Sequence, residues 1–138
     1  MQTSPVVLTT ALVTILVLVF YFYTGVKVSQ MRSKHNIHAP AVSGHPHFER
    51  AFRVQMNTLE HLPVIISLLW LTAFLFTPIP MAAPALGLVW ILGRALYMDA
   101  YLKDPAKRGP GFGICALAEI VLMLLTLIGI AMGFIAAV

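Results

Sequence analysis

Charge is what this sequence has least of. Nine Lys or Arg and five Asp or Glu account for 10% of its 138 residues, against about 25% in an ordinary soluble domain. A surface facing water on all sides cannot be made from so few ionic groups. Disorder is excluded too, because it goes with low hydrophobicity, whereas 59% of these residues are hydrophobic. The single cysteine, Cys115, excludes an internal disulfide framework and any multi-cysteine metal centre. No Lys or Arg precedes Lys27, so the basic leader of a secretory signal is missing and the first apolar run is expected to remain as a helix. The chain shows no internal repeat and no low-complexity tract.

What is present is apolar length, enough for four spans of about 20 residues each. The spacing predicts an all-α integral membrane protein, one domain over residues 1–138, with spans at about 5–26, 54–77, 81–101 and 112–136. Lys27 to Arg53, with four of the five histidines and with Pro40, Gly44 and Pro46, reads as a polar loop in which helix resumes near His47. Pro63 falls inside the second span, where membrane helices tolerate it. Thr77-Pro78-Ile79-Pro80 breaks the chain before the third span, and Lys103 to Gly111 forms the third connection. Eight of the nine basic residues lie in or beside the first and third connections. The positive-inside rule therefore predicts an up-down four-helix bundle with both basic loops cytoplasmic and both termini opposite. The net charge of +4 is read as this topology signal, not as a nucleic-acid stripe.

Charged groups at membrane depth cost at least a few kcal/mol each and normally face protein or a wet cavity. Arg53, Asn57 and Glu60 follow i, i+4, i+7 spacing, which puts them on one helical face near the basic boundary. Arg94, Tyr97 and Tyr101 follow i, i+3, i+7 on the next helix. Two such stripes at one depth make a binding wall of cations, an amide, a carboxylate and phenols. That set suits a zwitterionic or anionic ligand, with arginine gripping carboxylates through paired hydrogen bonds. The alternative reading is interfacial snorkelling by Arg53 and Glu60, with the tyrosines as an aromatic belt.

The run Phe48 to Pro63 contains Glu49-Arg50, Arg53, Asn57, Glu60 and Pro63. It resembles the Glu-Arg-x-x-Arg-x-x-x-Asn-x-x-Glu-x-x-Pro signature of the MAPEG family, the membrane-associated proteins in eicosanoid and glutathione metabolism. Gly93-Arg94-Ala95-Leu96-Tyr97, followed by Tyr101 and Arg108, resembles the third-helix segment of its branch of leukotriene C4 synthase and microsomal glutathione transferases. The resemblance covers essentially the whole chain.

It implies a homotrimer in the bacterial inner membrane, or the endoplasmic reticulum of a eukaryote, with glutathione bent between neighbouring subunits. The positions it implies as glutathione contacts are Arg32, Arg53, Gln55, Asn57, Glu60, Tyr97 and Tyr101. His61 also belongs to this set, standing where leukotriene C4 synthase has tyrosine. Arg108 matches the arginine that polarises the glutathione thiol. Ser33 replaces a second arginine tied to chemistry on the lipid substrate, which argues against leukotriene synthesis itself.

The implied activity is that of a glutathione transferase acting in detoxification, with lipid-hydroperoxide peroxidase chemistry open to the same thiolate. Glutathione is then a co-substrate, no metal is required, and the other partners are a hydrophobic electrophile or lipid hydroperoxide and the membrane lipid itself. The physical reason is general. A thiol with a pKa of about 8.5 is mostly protonated at neutral pH, and a guanidinium within a few Å favours the nucleophilic anion. The alternative is a non-catalytic lipid-binding or scaffold member of the same family, which would not need the polar set above. A small transporter predicts polar groups near the bilayer midplane, whereas here they crowd one boundary.

Other features take plainer readings. His35, His38, His45 and His47 lie in a Pro- and Gly-containing loop with only Glu49 nearby, and read as solvated residues rather than a tetrahedral metal site. Gly109-Pro110-Gly111-Phe112-Gly113 lacks the Lys-Ser/Thr of a phosphate loop. Glu119, two turns into the last helix, is expected to pair with an arginine of its own bundle or to be protonated. Cys115 is expected to be a small packing residue.

Overall fold

The computed structural model describes residues 4–137; Met1 to Thr3 and Val138, which the single-domain reading includes, lie outside the described residues. Four long helices carry the chain: α1 (Pro5–Lys34), α2 (Pro46–Leu75), α3 (Ala82–Lys103) and α4 (Gly109–Ala136), with a 3-10 turn at Pro105–Arg108 before the last. No strand occurs among the described residues. Each consecutive pair of helices packs side by side, α2 also meets α4, and α1 meets α3. All four long helices are long and apolar enough to cross a membrane.

One sequence expectation needs correction. Lys27 to Lys34, read as the start of a loop, forms the last two turns of α1, and α2 begins at Pro46, ahead of its apolar run. The two helices outrun the bilayer. Thirty residues rise about 45 Å, against a hydrocarbon core of about 30 Å. Their polar turns sit where backbone and side chains can be solvated, and Arg32 and Lys34 in the last turn of α1 complement its negative end. The connection proper is only residues 35–45. Two local devices close it onto α2, with Pro46 in the first turn. His45 Nδ1 accepts from the His47 N–H at 3.2 Å, and Glu49 accepts from the Gly44 N–H at 2.9 Å. α2 then runs unbroken through Pro63.

Buried positions follow one stripe per helix. On α2 they include Phe48, Ala51, Val54, Thr58, Leu62, Ile65, Leu69 and Thr72, the mixed three- and four-residue steps of a helix facing a bundle. The main core gathers Val13, Val17, Ile65, Leu69, Trp90, Cys115 and Leu122 from all four helices. The opposite faces carry Leu12, Phe22, Phe74, Leu92, Leu117 and Ile128, all exposed, as expected of surface that meets lipid or other apolar partners.

Because lipid is as apolar as leucine, bilayer helices associate through close packing, and small residues let backbones approach. α4 uses this twice. At the polar end, a Cβ on Gly111 would meet the Tyr97 backbone and, at 2.9 Å, the Gly93 carbonyl; one on Gly93 would meet Cys115 Sγ at 2.8 Å. At the other end, a Cβ on Gly129 would come within 2.6 Å of the Leu75 carbonyl carbon. Arg50 of α2 fastens the polar end further by donating to the Leu102 and Lys103 carbonyls at 3.3 and 2.9 Å, groups that the end of α3 leaves without intrahelical partners.

Gly111→Ala should therefore destabilise the folded protein by about 1–3 kcal/mol, the usual cost of overpacking. Gly133→Ala, where nothing lies within 4 Å, should be neutral or should stabilise by up to about 1 kcal/mol through helix propensity. Thermal unfolding of both variants in detergent micelles checks the contrast; equal melting temperatures would contradict it.

Candidate functional site

The glycine contact at the polar end places three elements around one cleft. α2 supplies Asn57, Glu60 and His61, α3 supplies Arg94 and Tyr97, and the turn into α4 supplies Arg108 and Phe112, around a volume of about 290 Å³. Asn57 Nδ2 donates to the Tyr97 hydroxyl, tying α2 to α3 at the floor. Tyr97 in turn packs against Tyr101, ring centroids 5.4 Å apart, and the Arg108 guanidinium lies 5.8 Å over the Tyr101 ring. Tyr97 is buried while Arg108 is exposed, so the cleft runs from a phenol inside to a mobile-length cation at the rim.

Arg94 lies deepest. It is 1% exposed, stacked 5.1 Å from the Trp90 ring and 5.3 Å from the Tyr97 ring, and its Nε and Nη2 have no hydrogen-bond partner. A buried donor without a partner costs about 1–3 kcal/mol, more when charged. Sequence reasoning placed Arg94 in the third-helix stripe but not among the site residues. The signal that singles it out is an arginine in the interior of an apolar span. Phe112, edge-on to His61 at 6.3 Å between centroids, had no signal.

Glu119 corrects a second expectation. Its partners are a histidine and an indole, not an arginine. His61 Nδ1 lies 2.8 and 3.1 Å from its two oxygens, and Trp90 Nε1–H donates to Oε1 at 2.8 Å. The network links α2, α3 and α4 directly behind the cleft. Cys115, fully buried, donates weakly to the Trp90 carbonyl at 3.5 Å.

The other expected positions lie elsewhere in the chain. Arg53 and Tyr101 line a neighbouring cleft of about 390 Å³ with Glu49, Arg50 and the 35–45 connection. Gln55 faces α1 beside Gly25, in a separate groove of about 350 Å³. Arg32 lies with its guanidinium 4.6 Å over the Phe48 ring and one buried Nη1 without a partner. One chain thus brings together Asn57, Glu60, His61, Tyr97 and Arg108, sets Arg53 and Tyr101 next door, and leaves Arg32 and Gln55 apart from the main cleft.

A family model described as the MAPEG family matches residues 10–128. The chain belongs to the MAPEG family. Human microsomal glutathione S-transferase 2 is 39% identical over 112 residues, covering 81% of this chain and 75% of that protein. Bovine leukotriene C4 synthase is 29% identical over 127 residues, covering 92% and 83%. An uncharacterized Synechocystis protein is 38% identical over 129 residues, covering 94% and 93%. With four helices long and apolar enough to cross a membrane, this MAPEG member is a multi-pass membrane protein.

The histidine-rich connection of this MAPEG chain is ordered by stacking. His35 and His45 lie 3.5 Å apart between ring centroids, with His47 6.0 Å from His35 and 5.3 Å from His45. Parallel rings do not converge on a common ion, and among the described residues no three His, Cys, Asp or Glu side chains are placed to hold a metal. Partial burial first, and then the positive charge of His45, Lys34 and His47, hold the His35 imidazole below its ordinary pKa of 6.5. The folded connection therefore favours neutral His35, and the unfolded segment binds more protons in between. Stability from this group is present above 6.5 and is lost as pH falls through the lower folded value. Amide exchange of residues 35–45, corrected for intrinsic rates, should accelerate between about pH 8 and 5. His35→Gln should flatten that response; a native response identical to the variant's contradicts the assignment.

Proposed function

We propose that this chain is a glutathione-dependent membrane transferase whose substrate cleft is the one formed by Asn57, Glu60, His61, Arg94, Tyr97 and Arg108. The observation that carries the reading is the buried Arg94 guanidinium, two of whose donor nitrogens are buried without a partner, on a side chain that lines the cleft together with Glu60 and Arg108. An apolar core gains nothing from such a group, since breaking or omitting one partner of a buried pair is strongly unfavourable. A ligand carboxylate would satisfy it. Glutathione offers two carboxylates, one ammonium and one thiol, and the cleft sets cations and a carboxylate within the reach of one small molecule. Names borne by relatives, microsomal glutathione S-transferase 2 and leukotriene C4 synthase, favour the same substrate.

In this reading Arg94, Arg53 and Arg32 receive carboxylates, Glu60 receives the ammonium, and Asn57 with the tyrosines orients the backbone. Arg108 stands over the thiol and stabilises its anion. The thiolate attacks an electrophilic carbon and the leaving group departs. With a lipid hydroperoxide it attacks the terminal oxygen instead, breaking the O–O bond and leaving an alcohol and a sulfenic acid for a second glutathione to reduce. The electrophile enters from the lipid side along the apolar helix faces. The split of Arg32 and Gln55 from the main cleft supports a homotrimer in which a neighbouring copy completes each site. Residues 1–138 act as one membrane unit, with the basic connections on the cytoplasmic side.

Purified protein in detergent should develop an ultraviolet thiolate band on adding glutathione near neutral pH, and should conjugate a hydrophobic aryl halide. Neither signal appearing would sink the reading in favour of a lipid-binding scaffold. Arg108→Ala should keep glutathione binding while lowering thiolate formation by about tenfold or more, one pKa unit being about 1.4 kcal/mol. An undiminished band reassigns that arginine.

A further inference from the structure

The network behind the cleft contains an arrangement that ligand binding does not require. Glu119 is 8% exposed on α4, yet both its oxygens are engaged by donors from two other helices. An indole N–H can only donate, so Oε1 is an acceptor. With Glu119 as the carboxylate, His61 Nδ1–H, 2.8 Å from the same oxygen, is assigned as the second donor. A neutral imidazole with its proton on Nδ1 carries its lone pair on Nε2. His61 is itself a lining residue of the cleft, one-quarter exposed, and Phe112 flanks its ring edge-on.

From this geometry we infer that His61 is the proton acceptor for the substrate thiol, with Glu119 and Trp90 as positioning residues that fix its tautomer. The inference rests on the glutathione reading above and adds to it the fate of the proton. The thiol S–H bond breaks, and its proton moves to His61 Nε2. The sulfur keeps the electron pair beside Arg108, and the imidazolium that forms is balanced by Glu119. A cation such as Arg108 stabilises the anion at equilibrium but accepts no proton, because guanidinium stays protonated in proteins. A separate acceptor therefore governs how fast the anion appears. The arrangement repeats the logic of a base held by a third group.

Charged or titratable groups surround His61 from every side of the cleft. Glu60 comes from its own helix, Arg94 and Tyr97 from α3, Arg108 from the turn and Glu119 from α4. A simple pH profile of turnover would mix these groups. The discriminating quantity is the rate of thiolate appearance, separate from its final amplitude.

Rapid mixing of the intact protein in detergent with glutathione, followed at the thiolate band, reads both quantities. His61→Gln should slow the appearance by about a hundredfold or more, the usual share of general base catalysis, the rate constant being read apart from affinity and amplitude. Glu119→Gln keeps the shape but removes the counter-charge, and should slow the same step less while shifting its pH profile. His61→Gly should regain speed when free imidazole is added, a rescue that a merely structural histidine does not give. A native band with unchanged rates in His61→Gln overturns the inference and leaves the glutathione reading standing. So does a His61→Gly protein that imidazole does not accelerate. No band in the native protein overturns both.

Discussion

Gly93 and Gly111 let the backbones of α3 and α4 approach until Gly111 lies against Tyr97, and most of what is polar in the protein takes its place from that contact. Because α4 starts there, Arg108 at its N-cap stands across from Tyr101. About one and two turns further along, Cys115 and Glu119 meet Trp90, and Glu119 reaches across to His61 on α2. A larger residue at Gly111 would move the helix that carries the cation, the carboxylate and the packing cysteine together. In a bilayer, where burial of apolar surface does not hold helices to one another, such a contact is a main source of position.

Within that frame the two deeply buried charges are treated differently. Glu119 is partnered on both oxygens, while Arg94 stacks on aromatic faces and leaves two nitrogens bare. Cation–π contact offsets part of the cost of burial, about 2 kcal/mol when the pair is desolvated. It does not supply an acceptor. An acid partnered within the fold needs nothing from outside. A cation left with buried, unpartnered donors beside a cleft supports the anionic ligand proposed above. The difference between the two charges is therefore chemical information about the ligand, independent of any relative's name.

The four-helix architecture was legible because apolar runs of spanning length and a few breakers leave little choice in a bilayer. The end of α1 was not, since Lys27 to Lys34 is polar and hydropathy cannot tell a solvated helix from a loop. Helical spacing brought out Asn57, Glu60 and Tyr97 correctly as neighbours in space, because a regular helix conserves faces. Arg53 shares the face of Asn57 by counting and, one turn away, lines the adjoining cleft under the 35–45 connection. That connection has no period to read. The partner of Glu119 was missed for a related reason. His61 and Glu119 are 58 residues apart, and only packing of α2 against α4 brings them together.

The same angular logic bears on how many copies make a site. Two residues along a helix turn a side chain by about 200°, so Gln55 and Asn57 leave α2 in nearly opposite directions. Gln55 meets α1 at Gly25, while Asn57 meets α3 at Tyr97. No rotamer change in a packed bundle carries Gln55 round to the Tyr97 side. If both hold one small molecule, a second chain must bring its own Gln55 face up to the first chain's cleft. The exposed leucines and phenylalanines that α1 and α4 present leave room for that approach without burying a charge. On the proposed assembly, substrate binding and association are a single constraint, since in it the cleft of one copy is finished by the α1–α2 face of the next.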